Sequence, residues 1–348
     1  MEPSNERLLE LYTFAGADVT QLRIGILGSG AMAQTHLNAW RALGAPWIGI
    51  QDRNLEATAT LSARFGARVY DTSEALLHDC DVLDVCLPTF LHREAVEMAA
   101  RAGKHAICEK PLALTLEDGS AMIEACEAAG VRLYVAQVLR FFPQYRQAAQ
   151  LARVGKLGAL KVMHFKRVGS PPYGGAAWFA DDSLSGGVVV DMMLHDLDYA
   201  LMLAGEVSRV YARITRTPTQ QYVQAVLTHA SGTLSHFECG WAYAPGLFRT
   251  AFDLSGDTGL LEWASDAPGP LTRIPPVESV QGGVLLPVVS PASDPYSAQL
   301  EHAAHCFETG TPFEVTPQDA LGALKVALAV RESAQSGRAI SWSLEGAL

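Results

Sequence analysis

The stretch Leu22-Arg-Ile-Gly-Ile-Leu-Gly28-Ser-Gly30-Ala-Met-Ala33 decides the fold. Residues 22–27 form a compact apolar run that ends in glycine, which is how a buried parallel strand reads. Helical spacing then sets in from Ala31 and stops at Gly44. Between strand and helix, Gly28 permits a tight turn, Gly30 lets the backbone approach a pyrophosphate, and Ala33 is small enough for close helix–strand packing. A helix opening at this point offers free N–H groups and its dipole to phosphate. Gly28, Ser29, Gly30, Ala31 and Met32 are therefore read as a dinucleotide-binding turn. Asp52 stands just after a second short apolar run, residues 47–51, where a ribose-binding acid belongs, about 20 residues further on. Its carboxylate can accept from both ribose hydroxyls and repels a 2′-phosphate, which favours NAD. Arg53 beside it can stack on adenine or pair with that phosphate, so NADP stays open.

The same alternation continues outward. Strand-like runs at 68–70, 82–87, 105–108 and 133–136 are separated by helical spacing at 55–65, 91–102 and 116–129, with glycine at the helix ends. That pattern predicts an α/β Rossmann domain, a doubly wound parallel sheet with right-handed crossovers, over residues 22–142. Beyond Phe142 the regularity fades. Runs at 161–166, 222–228, 233–239 and 250–254 alternate apolar with polar, as in an α+β domain whose sheet packs one face on helices. Residues 267–295, rich in Pro and Gly, read as a long loop, and helices are expected at 295–308 and 317–336. The division is thus an N-terminal arm at 1–21, a dinucleotide-binding domain at 22–142 and a substrate domain at 143–348.

Composition narrows the function. The chain has 348 residues, 49% hydrophobic and 18% charged, with a formal net charge of −11. Two globular domains fit that length. The acidic balance disfavours nucleic acid and anionic membranes as partners. The longest apolar runs are far short of the about 18 residues a membrane span needs. Residues 1–21 lack the basic start and apolar run of a secretory signal. The six cysteines form no C-x-x-C pair and lie in apolar stretches, so free buried thiols in a reducing, cytoplasmic compartment are expected, and no metal site.

Two further constellations carry chemistry. Glu109-Lys110-Pro111 ends the fifth strand, at the carboxyl edge of the sheet where ligands gather. A lysine there can stabilise negative charge on a reacting oxygen, and the proline fixes the chain after it, a cis bond being one way to do so. In Gly186-Gly-Val-Val-Val-Asp191-Met-Met-Leu-His195, the acid and the imidazole are four apart. On a helix they share one face, a general-base arrangement in which the carboxylate orients the histidine.

Together these pieces resemble the Gfo/Idh/MocA oxidoreductase family across nearly the whole chain. The resemblance rests on Gly28 to Ala33 with His36 behind it, Leu87-Pro88-Thr89 with His92, Ala102-Gly-Lys-His-Ala-Ile-Cys-Glu-Lys-Pro111, Val138-Leu-Arg140-Phe-Phe-Pro-Gln-Tyr145, Ser185-Gly-Gly with Asp191 and His195, and the two closing helices. It implies a C-terminal domain with a large, open, mostly antiparallel sheet that makes homodimers or homotetramers. It implies that Lys110 binds the substrate hydroxyl or carbonyl, that His195 is the acid/base, and that Asp191 assists and helps hold substrate. Leu87, Pro88, Thr89, Glu109 and Gln137 would line the cofactor, and His92 would stand at the cofactor or cap its helix. Arg140 would contact substrate or tie the domains together. Trp178 would stack on a sugar ring, or serve as a core or lid residue. The single Arg140 followed by Phe141-Phe142 departs from the family's double arginine. The expected reaction is hydride transfer between NAD(P) and a secondary alcohol or ketone of a sugar, polyol or inositol-like molecule. His164 and Lys166, read as pocket-lining, admit an anionic sugar as readily as a neutral polyol. A glycosidase or lyase using transient oxidation, and a non-catalytic dinucleotide sensor, are the rival readings on this scaffold.

Overall fold

The structure is a computed structural model that describes residues 19–172, 177–266 and 294–342. All but the last two residues of the loop expected at 267–295, and most of the N-terminal arm, lie outside the described residues.

The first sheet has six parallel strands: β1 (Arg23–Leu27), β2 (Trp47–Gln51), β3 (Arg68–Val69), β4 (Val82–Val85), β5 (His105–Glu109) and β6 (Leu133–Ala136). Their spatial order is β3-β2-β1-β4-β5-β6. The order reverses between β1 and β4, and that switch point is where open α/β sheets hold ligands. The strands read as unbroken apolar runs because both faces are covered: Ile24, Ile26, Ile50, Leu83 and Ile107 have no exposure. The crossover helices are α1 (Ala31–Ala42), α2 (Leu55–Phe65), α3 (Ser73–Asp79), α4 (His92–Arg101) and α5 (Leu116–Ala128). Asn54, Thr72 and Thr115 cap α2, α3 and α5 with their side chains. The short helix α3 was not anticipated from the sequence.

Helix α6 (Pro143–Arg153), also unanticipated, leads with Pro143 in its first turn and delivers the chain to the second sheet. That sheet has seven strands: β7 (Leu160–Gly169), β8 (Val207–Arg216), β9 (Gln221–His229), β10 (Leu234–Trp241), β11 (Phe248–Gly256), β12 (Leu260–Ala264) and β13 (Ile340–Ser341). The order is β12-β11-β7-β10-β9-β8-β13. Only β7 and β10 run parallel; the other pairings are antiparallel. Between β7 and β8 come the one-turn helix α7 (Asp182–Ser185), a π-turn at Val189–Met193, and α8 (Leu194–Ala204).

The chain closes with α9 (Pro295–Thr309) and α10 (Pro317–Ser336), the latter entered through a Thr316/Asp319 capping box. Helix α9 packs on α1 of the first layer, whereas α10 packs on β8 and α8 of the second and on α5 of the first. All six cysteines are buried and free. Among the described residues no helix is long and apolar enough to cross a membrane.

Candidate active site

The turn after β1 is built as its residues demand. Gly28 sits at φ +118°, and a Cβ there would come within 2.5 Å of the Cys86 carbonyl oxygen, so only glycine lets β1 and β4 close at the switch point. A Cβ on Gly30 would meet nothing within 4 Å, because that residue faces open cleft. Helix α1 has no side-chain cap, which leaves its first N–H groups to a ligand. Asp52 is oriented by two donors, the Ser29 hydroxyl at 3.0 Å and the Asn54 N–H at 2.8 Å. A turn with an uncapped helix start, open space and a ribose-height carboxylate fits a dinucleotide.

These residues border a cleft of about 670 Å³ that runs from the first sheet to the second, within the usual span for cofactor and substrate sites. Ser29, Gly30, Ala31, Met32, Asp52, Leu87, Pro88, Thr89, Glu109 and Lys110 line it as expected, and so do Trp178, Asp191 and His195. The Lys110–Pro111 bond is cis.

At the cleft's centre Lys110 Nζ donates to Asp191 twice, to the carboxylate at 3.0 Å and to the carbonyl at 2.7 Å. Asp191 lies in the π-turn, a distortion that recurs at functional sites. The expected Asp191–His195 pair is therefore corrected: the carboxylate holds the lysine, not the imidazole. Four residues bring two side chains onto one face of an α-helix, but a π-turn changes the angle per residue. His195 Nδ1 is buried and has no hydrogen-bond partner among the described residues. Burial, then the charges of Lys110 and Arg167, hold its pKa well below the ordinary histidine value. The residue lines the cleft.

Other residues expected at the site lie off the lining of the cleft, Arg140 in the second of its two expected roles, as a tie. Arg140 does not reach the cleft. Its Nε and Nη2 donate to both oxygens of buried Asp198 at 2.7 and 2.6 Å, and Nη1 donates to the Glu314 carbonyl at 2.9 Å. It is a brace between the segment after β6, α8 and the approach to α10. Gln137 is fully buried behind the lining. His92 neither lines the cleft nor caps its helix; its two ring nitrogens lie 2.9 Å from the Leu87 and Pro111 carbonyls, bracing the turns that carry Thr89 and Lys110. Arg53 is exposed and outside the lining.

His164 and Lys166 point to the opposite face of β7, where His164 stacks on His236 and Lys166 pairs with Glu238 at 2.9 Å. Strand alternation puts Met163, Phe165 and Arg167 on the buried face instead. Arg167 was missed, and that parity was the available signal. It reaches the cleft with Nε and Nη2 both donating to Asp196 at 2.8 Å. Aromatic walls were missed as well. Phe142, Phe179, Trp241, Phe248 and Tyr296 join Trp178 in the lining of the cleft, with Trp178 stacked on Phe179 at a centroid distance of 3.9 Å.

Comparison with known proteins agrees with this fold. The family model described as "Oxidoreductase family, NAD-binding Rossmann fold" matches residues 22–137, and "GFO/IDH/MocA C-terminal domain" matches residues 145–262. The chain belongs to the Gfo/Idh/MocA family. Within this family it is 30% identical to D-apiose dehydrogenase of Paraburkholderia graminis, over 92% of this chain and 90% of that protein. It is 28% identical to D-xylose 1-dehydrogenase (NADP(+)) 2 of Haloferax volcanii, over 92% and 99%. The fold also matches the crystal structure of GenD2 from gentamicin A biosynthesis in complex with NAD, with a TM-score of 0.80 and 22% identity over 92% of this chain and 96% of that one. As a Gfo/Idh/MocA protein the chain is an NAD(P)-dependent dehydrogenase or reductase acting on CH–OH groups.

Proposed function

We propose that this chain transfers hydride between NAD and a secondary alcohol of an uncharged sugar or polyol, with His195 as acid/base and Lys110 as oxyanion donor. The observation that carries the reading is the convergence of Lys110, Asp191 and the unpartnered His195 on one cleft bordered by the dinucleotide turn. Nicotinamide, when bound, supplies the hydride acceptor. His195, neutral by burial, takes the hydroxyl proton. Lys110, held by Asp191 from two sides, presents its ammonium to the oxygen as negative charge grows there. Ketone reduction runs the same roles in reverse.

Charge bookkeeping supports an uncharged substrate. The two cationic side chains in the lining are each matched by a carboxylate, Lys110 by Asp191 and Arg167 by Asp196. No unmatched cation among the described lining residues awaits an anion, and the aromatic walls suit the C–H faces of a sugar ring. The Asp52 carboxylate toward the cleft, with Arg53 outside it, supports NAD over NADP.

The reading includes residues 22–142 as the dinucleotide half and 143–348 as the substrate half. It also includes self-assembly through the sheet face that carries His164, Lys166, Gln224 and Glu238, which light scattering would read as a mass above that of one chain.

The test is nicotinamide reduction over a panel of aldoses, inositols and linear polyols, beside the matching sugar acids. Turnover of an uncharged member is expected. Preference for a sugar acid would overturn the charge argument, and failure of folded, nucleotide-free protein to bind NADH would overturn the reading as a whole.

A further inference from the structure

Helix α1 turns its N-terminus to the dinucleotide cleft and buries a second feature one turn further on. His36 has no exposure. Its Nδ1 lies 3.0 and 2.9 Å from the two oxygens of Asp84 on β4, and its Nε2 lies 3.0 Å from Glu109 Oε1 at the end of β5. The second contact is close but is not an aligned hydrogen bond. Trp40 Nε1 donates to Asp84 Oδ2 at 2.8 Å and helps hold that carboxylate. The other oxygen of Glu109 accepts the backbone N–H of Lys110 at 3.0 Å. A continuous set of contacts thus runs from α1 through Asp84, His36 and Glu109 to the lysine backbone.

The His36 ring faces a carboxylate on each nitrogen, and nearby negative charge favours the protonated ring. Burial opposes the positive charge, but the Asp84 carboxylate prevails and holds the ring's pKa well above the ordinary value. The other titratable groups facing the cluster are Cys86, Cys108, His92, Tyr296 from α9, and Lys110. Burial pushes Cys86 up to about 12 and raises Cys108 and Tyr296 too, and it lowers His92. The carboxylates that meet His36 are Asp84 and Glu109, and Lys110 lies at the rim of the cluster.

We propose that His36 is a positioning residue for hydride transfer: it clamps Glu109, whose second oxygen sets the backbone of Lys110, so that the nucleotide-binding helix and the oxyanion donor are held as one piece. This rests on the role given above to Lys110. Asp84 and the ring meet at hydrogen-bond distance, so a proton joins them.

The experiment compares His36→Gln, Glu109→Gln and the double variant in the full chain, reading NADH affinity, kcat and KM across pH. His36→Gln is expected to lower kcat about tenfold or more through a misplaced lysine, while KM and NADH affinity stay within about twofold. Its pH–rate profile gains an ionisation, because two buried carboxylates left without their cation compete for a proton. In the Glu109→Gln background the same change adds little.

An equal loss in both backgrounds, or a loss carried by KM alone with an unchanged pH profile, would overturn the proposal. So would a stoichiometric metal ion in the purified protein. If His36→Gln does not fold, Glu109→Gln decides: glutamine offers one acceptor oxygen in place of two, so kcat falls at constant KM, and an unchanged kcat overturns the proposal. Lys110→Met separates the two readings. Turnover retained in Lys110→Met defeats the role of Lys110 itself, whereas an inactive Lys110→Met beside a His36→Gln of native kcat defeats only the positioning role.

Discussion

Lys110 and Asp191 meet twice, with the ammonium nitrogen 3.0 Å from the carboxylate and 2.7 Å from the carbonyl of the same residue. One partner comes from the carboxyl end of a Rossmann strand and the other from the π-turn that enters the second layer. The pair ties the two layers together across the cleft. Lys110→Met should lower kcat/KM by about 10²–10³-fold, the cost of an oxyanion donor. Asp191→Asn should cost less, since the carbonyl contact survives. Steady-state kinetics beside an NADH fluorescence titration check this; a lost NADH affinity would point to a cofactor role instead.

Asp52 sets the cofactor prediction. Asp52→Ala removes the acceptor that Ser29 and Asn54 hold in place. NADH should bind about tenfold more weakly, roughly 1.4 kcal/mol, and NADPH should bind no worse than before. Paired titrations of both nucleotides read it directly. Equal weakening for both would show that the carboxylate does not sense the 2′ position.

The pH prediction follows from His195. Burial and then Lys110 and Arg167 hold it neutral well below its ordinary range. Alcohol oxidation should therefore not fall off near pH 6.5, the point at which a free histidine would lose its basic form. Stability carries the opposite mark of the same shift. Below about pH 6.5 the unfolded chain protonates this residue and the native chain does not, so the unfolded state binds more protons and stability drops as pH falls. His195→Asn should flatten that acid slope of Tm against pH. His36 works the other way: its raised pKa contributes stability that is present in full below about pH 6.5 and is lost as pH climbs through the folded value.

Arg140 is expected to matter for folding and not for recognition. Arg140→Ala strands the buried Asp198 carboxylate, and losing one member of such a pair costs about 3–5 kcal/mol. Urea unfolding should show that loss, while the protein that remains folded keeps its KM. A raised KM at native stability would return Arg140 to the substrate site.

The first layer was legible because each of its signals is local. Unbroken apolar runs, glycine at helix ends and an acid after the second strand are all properties of short windows, and β1, β2, β5 and β6 came out within a residue or so of their observed bounds. What was not legible depends on a geometry that no window contains. The seven residues of α3 are too few to show a helical period. The partner of Asp191 was misassigned because the reading assumed a uniform helix, and nothing in Val189–Met193 announces a π-turn. His164 and Lys166 were placed in the pocket on residue type, although one step of strand parity assigns that face to Arg167. Arg140 was recognised as near the crevice, but the acid that neutralises it lies on another element.

The return of α9 to the first layer has a practical consequence for engineering. Tyr296, on the helix that packs against α1, also lines the cleft, so part of the cleft wall is encoded outside residues 22–142. A graft that exchanges residues 22–142 as a cassette, for instance to import another cofactor preference, would seat foreign side chains of α1 against the resident α9. A chimera that leaves 295–309 unmatched should pack poorly at that seam, whereas carrying α9 along with the cassette keeps the contact in native register.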